Sequence, residues 1–428
     1  MPDRTDTPVV TVFLHHRGAV LLLRRSADVG SYPERWGAVA GHVEDDDPDA
    51  SARAEIEEET RLSEHDVSLV RRGKPLSVED EARETRWIVH PYLFDASTRD
   101  ITTNWETAEA EWVAPTAILQ RTVVPKLWTS YRRVAPSVVA IANDTTHGSA
   151  TLSIWALEVL RDRAGLLAAA DHIDPEQAHA RLVDTAQELI GARPSMAALR
   201  NRVHRVMHTC LPDAPASAVS RTAHEAIGRA LQADTDTAAR AADRIADKRV
   251  LTLSRSGTVL QALRRADPAP SVVVAASQPA GEGIGVAETL ADAGLDVTLI
   301  PDAAIATTIA DDMDAVLVGA DTVQPTGDVI NKTGTRTAAL AAAHEDVPFF
   351  VACSTDKISP SETVHAEDGP SRDVYNGTAS VAVRNPTFDR TPADLVTGGL
   401  ITDRALLAAD DVATVADDLA SLANGLDG

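Results

Sequence analysis

The sequence predicts an α/β protein laid out in three successive stretches, and three observations carry that reading. Strand-like runs surround one strongly acidic helix before residue 140. Residues 149–245 are Ala-rich, with apolar side chains at helical spacing and almost no strand signal. After residue 249, five short apolar runs alternate with helical patterns, the signature of βαβ crossovers and a parallel sheet. At 428 residues the chain exceeds one ordinary core, and two or three domains are expected.

In chain order, 8–16 and 19–24 (AVLLLR) read as strands turning at Gly18. A Gly-containing loop leads into an acidic helix over 48–61. Strands follow at 66–71, 87–94 and 111–113, and a helical stretch over 116–134 closes a compact mixed unit. Asp144 to Gly148 is the expected linker. The helical segment has turns near Pro175, Pro194 and Pro212. The later strands are 250–254, 271–277, 296–301, 315–320 and 349–354, with helices such as 285–294 and 335–345 between them. The expected domains are therefore 1–140, 148–248 and 249–428.

Composition excludes several classes. No run approaches the ~20 apolar residues of a membrane span, and the start MPDRTDTPVV lacks a secretory pattern, so a cytoplasmic protein is expected. Cys210 and Cys353 are the two cysteines, too few for a disulfide framework and best read as buried small side chains. Sixty-four acids against 40 bases give a charge of −24, and five of the bases are lysine. So negative a field argues against nucleic acid, whose phosphates need clustered cations. The acidic, Lys-poor composition resembles that of haloarchaeal cytoplasmic proteins, for which screening in salt makes self-repulsion tolerable. A GC-rich genome yields a similar bias.

The sharpest local signal is WGAVAGHVEDDDPDASARAEIEEETRL, 36–62. Asp47 suits a helix N-cap, with Pro48 in the first turn. Glu55, Glu58 and Glu59 then share one helical face. Three like charges so placed call for a cation, and hard oxygens suit Mg²⁺ or Mn²⁺. The segment resembles the Nudix box, G-x5-E-x7-R-E-U-x-E-E-x-G-U, with Gly41 as its glycine and Ile56 and Leu62 as apolar positions. The box is one residue short, with Asp47 for the first glutamate, Ala54 for the arginine and Arg61 for the last glycine. The loss of that arginine implies slower or redirected chemistry unless its neighbour Arg53 substitutes. AEWVAP (110–115) resembles the strand closing such domains. The resemblance implies an α/β/α sandwich over about 5–135 with a metal-dependent hydrolase site. Glu55, Glu58 and Glu59 would be ligands, Glu58 and Glu59 catalytic, and Glu106, or alternatively Glu44, a further carboxylate from a loop.

ARPSMAALRN (192–201), RVLTLSRSGTVLQAL (249–263), the run 277–304 and DAVLVGADTVQPTGDVINKTGTRTAAL (314–340) resemble the translation initiation factor 2B regulatory subunits. They are similar also to their enzymatic relatives, the methylthioribose-1-phosphate and ribose-1,5-bisphosphate isomerases. That family implies a helical part followed by a Rossmann-like sheet, usually oligomeric. The turn Ser254-Arg255-Ser256-Gly257 opens a helix whose N–H groups suit a phosphate, and Arg193 suits a bidentate clamp. Asp321, Asn331 and Lys332 match positions used around the sugar. The isomerases pair a cysteine with that aspartate, yet Ser254 stands at the cysteine position and its hydroxyl is a poor proton carrier near neutrality. The run Ala276-Ser277-Gln278-Pro279 and His147-Gly148-Ser149 also depart from the family.

The expectation is thus a Nudix pyrophosphohydrolase of a nucleoside diphosphate derivative. Its C-terminal region is expected to be a homo-oligomer that binds a nucleotide or sugar phosphate as regulator or scaffold. A non-catalytic factor-like binding protein and an active isomerase are the alternatives.

Overall fold

The computed structural model describes residues 5–144, 146–170, 172–210, 214–363 and 367–422. Thr145 of the expected linker and the expected turn at Pro212 lie outside them. The chain forms two compact units. One comprises residues 1–137, 158–182 and 214–228, the other 138–157, 183–213 and 229–428.

In the first unit the strands are β1 (Thr5–His16), β2 (Ala19–Arg25), β3 (Trp36–Gly37), β4 (Val39–His42), β5 (Val67–Arg72), β6 (Leu76–Asp80), β7 (Thr85–Ala96) and β8 (Thr107–Val113). They form one mixed sheet with β3, β2, β1, β7 and β5 side by side; β4 pairs with β1, β6 with β7 and β8 with β2. β1 and β7 run parallel in an eleven-residue register from Thr5↔Thr85 to His15↔Asp95, while β4 opposes β1 with Val10↔Gly41. Alternation along β1 sends Val10, Val12 and Leu14 into one core, with Ile56 of the acidic helix, and Phe13 into another with Leu127 and Tyr131.

The acidic helix α1 (Pro48–Thr60) begins as expected: the Asp47 carboxylate accepts the N–H groups of Asp49 and Ala50 at 3.0 Å. It ends on Arg61, whose φ of 61° is the left-handed conformation that a box glycine adopts without strain. The single helix expected over 116–134 is instead a 3₁₀ turn at Pro115–Gln120 and a short α2 (Leu127–Arg132). Thr122, Val123, Val124 and Pro125 intervene. Their β-branched side chains and the proline favour extended backbone, which exchanges hydrogen bonds with Trp36. A buried charge cluster completes this unit. His15 contacts Asp95 (2.6 Å) and Glu158 (2.8 Å), and Arg161 holds the Gly18 carbonyl (2.6 Å) and Asp162 (2.7 Å).

The helical segment comprises α3 (Val138–Asn143), α4 (Ser149–Ala168), α5 (Pro175–Ala192), α6 (Ala197–Cys210) and α7 (Ala216–Ile245). Helices α4, α5 and α7 contribute residues to both units. In the second unit come β9 (Arg249–Leu253), α8 (Gly257–Arg265), β10 (Ser271–Ala275), α9 (Glu282–Asp292), β11 (Val297–Ile300), α10 (Ile305–Asp312) and β12 (Ala315–Val318). They are followed by β13 (Thr322–Val323), β14 (Val329–Lys332), α11 (Thr335–His344), β15 (Phe349–Ala352), β16 (Phe388–Thr391), β17 (Gly399–Ile401), β18 (Leu406–Leu407) and α12 (Ala409–Ser421).

The main sheet runs β11-β10-β9-β12-β15-β17-β18, parallel except at β18, and β13, β14 and β16 form a small antiparallel sheet. Alternating strand residues face opposite sides. Leu251, Leu253 and Val273 pack with α10, α11 and α12, whereas Val250, Val272 and Val274 pack with α7, α8 and α9. Strand order reverses between β9 and β12, and such a switch point opens a crevice at the strand C-ends. No helix among the described residues is long and apolar enough to cross a membrane. Both cysteines are buried, and burial pushes the Cys353 thiol up to about 12.

Candidate active site

Helix α1 presents Glu55 and Glu58 to a cleft of about 550 Å³ in the first unit. Glu55, Glu58, Glu44 and Glu106 all line it. The Glu55 carboxylate lies against the Gly41 backbone of β4. A Cβ at position 41 would fall 1.6 Å from Glu55 Oε1, so the space glycine leaves is the seat of that carboxylate. Burial first, then the charges of Glu58, Glu106 and Glu44, raise the Glu55 carboxyl to about 7. Glu106 sits in a fixed loop: its N–H donates to Asn104 Oδ1 at 3.0 Å and its carbonyl accepts the Ser26 N–H at 2.7 Å.

Glu59 departs from expectation. It is buried, its Oε1 accepts the Ala40 N–H at 3.0 Å, and burial raises its carboxyl to about 8 against that hydrogen bond. One of the three expected helical ligands is therefore turned into the protein, where it fastens α1 to β4. Among the described residues no group of three or more acidic, histidine or cysteine side chains is already gathered to hold a metal ion. Of the expected quartet Glu55, Glu58, Glu59 and Glu106, Glu59 is the one that does not line the cleft, and the hard oxygens of Glu44, Glu55, Glu58 and Glu106 around it suit Mg²⁺ or Mn²⁺ in kind.

Ala54 is exposed, and the Arg53 guanidinium lies 5.4 Å over the Phe94 ring, so Arg53 does not stand in for the missing arginine. Arg25 does reach the site. It lines the cleft and its charge draws the Glu59 pKa down. No motif marked Arg25, because it arrives from β2, thirty-four residues ahead of Glu59 in the chain.

In the second unit the expected residues largely have internal partners. Ser254 sits at a φ of 59° with its N–H donating to Ser277 Oγ at 2.7 Å. The Ser256 hydroxyl caps α8 by accepting the Val259 N–H at 3.4 Å and packs against Gly319, where a Cβ would approach it to 2.6 Å. The oxygen accepts there and leaves its O–H to donate, and Arg255 and Gly257 are exposed beside it. Arg193, the expected bidentate clamp, donates to the carbonyls of Ile141 (3.0 Å) and Asp144 and lies 3.9 Å from Glu367. Lys332 is paired with Glu282, and Asn331 donates to Thr335 Oγ1 at 3.0 Å. Burial raises the Asp321 carboxyl against the pull of Lys357. Lys357, which sequence reasoning missed, is buried and donates to the Ala320 carbonyl at 2.6 Å.

These features define an α/β protein with a mixed-sheet unit bearing an acidic cleft and a doubly wound unit whose strand order reverses between β9 and β12. A model of the Initiation factor 2 subunit family matches residues 145–409, and one of the NUDIX domain matches 5–136. The chain therefore belongs to the Initiation factor 2 subunit family and carries a NUDIX domain ahead of that region. It is 31% identical over 281 residues to ribose 1,5-bisphosphate isomerase of Methanocaldococcus jannaschii, covering 62% of this chain and 89% of the relative. The Haloferax volcanii protein of that name is 30% identical over 307 residues, 67% of this chain and 94% of the relative. Among solved structures, Pyrococcus horikoshii translation initiation factor eIF-2B matches with a TM-score of 0.54 and 26% identity, over 63% of this chain and 94% of that one.

Proposed function

We propose that the first unit hydrolyses a nucleoside diphosphate derivative. The C-terminal region, in this reading, binds a nucleotide or sugar phosphate in a regulatory or scaffold role. The observation that carries the first part is the convergence of Glu44, Glu55, Glu58 and Glu106 on one cleft. Glu55, Glu58 and Glu106 are the residues that would hold Mg²⁺ or Mn²⁺, which when bound supplies charge neutralisation and a more acidic water. Glu58, exposed in the cleft, is assigned the proton from the attacking water. Glu59 is a positioning residue that keeps α1 on β4, and Arg25 compensates its charge. The test is hydrolysis of the diphosphate bridge across a nucleotide-sugar, dinucleotide and ADP-ribose panel with Mg²⁺ or Mn²⁺ in molar KCl. Glu58→Gln is expected to lose at least about 100-fold in kcat; a fully active variant removes the assignment.

For the C-terminal region, Ser254 in place of a thiol and the Glu282 partner on Lys332 support binding without isomerisation. The second reading, an active isomerase, is favoured by the raised Asp321 carboxyl and by the name of the M. jannaschii relative. Mass spectrometry separates them: conversion of ribose 1,5-bisphosphate to a ribulose phosphate supports the isomerase. A homo-oligomer formed through the C-terminal region and a cytoplasm rich in salt complete the proposal.

A further inference from the structure

The cleft has two chemically different ends. Its acidic end is formed by the four glutamates, and its other end by a small apolar cluster in which Val78 and Val89 are buried and Val9 and Trp87 partly so. Cross-strand pairing places the residues of that face: Val9 opposes His42 on β4 and Val89 on β7, and Trp87 on β7 opposes Val78 on β6. Directly opposed strand residues point to the same side, so Val9, Val78, Val89, Trp87 and His42 make one floor. The Trp87 and His42 rings stand 5.9 Å apart. Tyr32 forms a wall, and Trp105 stands at the rim, 68% exposed and next in sequence to Glu106.

The polar groups of that wall are already engaged. The Tyr32 hydroxyl donates to Asp80 at 2.6 Å; Arg83 donates to the Gly30 carbonyl at 3.1 Å and pairs with Asp80 at 3.5 Å; Arg25 Nε donates to the Ser31 carbonyl at 2.8 Å. The Arg83 guanidinium also covers the Tyr32 ring at 5.0 Å. Such a wall offers planar faces and apolar area to a ligand, with its donors turned to protein partners.

Resting on the hydrolase reading for the acidic end, we infer that the aromatic end holds the base of the nucleotide by stacking on Trp87 and Trp105. The base edges go unread. Stacking is tolerant of base identity and grows with ring area. The enzyme therefore selects purine over pyrimidine derivatives and accepts adenine and guanine nearly alike.

The full-length protein is assayed with ADP-glucose, GDP-glucose, UDP-glucose and CDP-glucose, which differ only in the base. The expected KM for the two purine substrates is about threefold or more below that for the pyrimidines, a fraction of what a whole stacked base is worth, with adenine and guanine within about threefold of each other. Trp105→Ala, at an exposed site, and Trp87→Leu, which keeps the floor apolar, are each expected to bring the purine-to-pyrimidine ratio close to one. Quenching of tryptophan fluorescence by AMP, GMP, UMP and CMP without metal reads base binding separately from turnover. Purine-selective quenching lost in both variants supports the inference even if no substrate is hydrolysed, which would overturn only the hydrolase reading. Turnover or binding indifferent to the base overturns it, as does strong discrimination between adenine and guanine.

Discussion

The end of α1 shows how much one backbone angle carries. Arg61 occupies the left-handed C-cap with its N–H donating to the Glu57 carbonyl at 2.9 Å, a conformation that costs a residue with a Cβ about 1–2 kcal/mol. Arg61→Gly is therefore expected to stabilise the protein, offset in part by the greater freedom of glycine in the unfolded chain, leaving a net gain of about 0.5–1 kcal/mol. Chemical denaturation with an unchanged m-value checks it, and a destabilised variant contradicts the argument. The box residues were legible in sequence because α1 fixes their spacing. The inward turn of Glu59 was not, since it depends on the Ala40 N–H, brought alongside by the pairing of β4 with β1. The partners of Arg193 are hidden from sequence for a related reason: they lie some fifty residues upstream, at Ile141 and Asp144, and far downstream at Glu367.

At the scale of elements, strands that bury alternate residues were readable, and so were capped helices. The strands not expected are the short ones: β3, β4, β6, the antiparallel trio β13, β14 and β16, and the edge strands β17 and β18. Two to five residues hold too little periodicity to declare themselves, and their hydrogen-bond partners are distant in sequence. The cluster linking β1 to α4 was equally hidden. Burial opposes protonation of His15, yet Glu158 and Asp95 outweigh it and raise its pKa to about 10. A proton held more tightly in the folded chain than at the unfolded value of about 6.5 stabilises fully below that pH. The contribution is then lost as pH climbs through about 10. Thermal melts from pH 6 to 10 are expected to show this loss, and His15→Gln to remove it at a cost of about 3 kcal/mol at neutral pH, as for a broken buried ion pair. A variant with an unchanged alkaline profile would count against the cluster.

For the whole molecule, a charge of −24 opposes compaction. Raising KCl from 0.01 to 1 M shortens the screening length from about 30 to about 3 Å, so the melting temperature is expected to rise by about 5 °C or more. A flat response would assign the acidic composition to codon bias. The division of α4, α5 and α7 between the units bears on dissection of the chain. A fragment ending at residue 140 keeps every strand of the first sheet but loses Glu158, Arg161 and Asp162, and with them the partners of His15 and of the Gly18 carbonyl. It is expected to melt well below the intact protein, or without a cooperative transition, in circular dichroism.

Those divided helices also constrain descent. A gene fusion normally leaves each half free to drift, be swapped or be deleted. Here a substitution in residues 158–182 alters the scaffold of the hydrolytic half while lying within the stretch inherited with its partner.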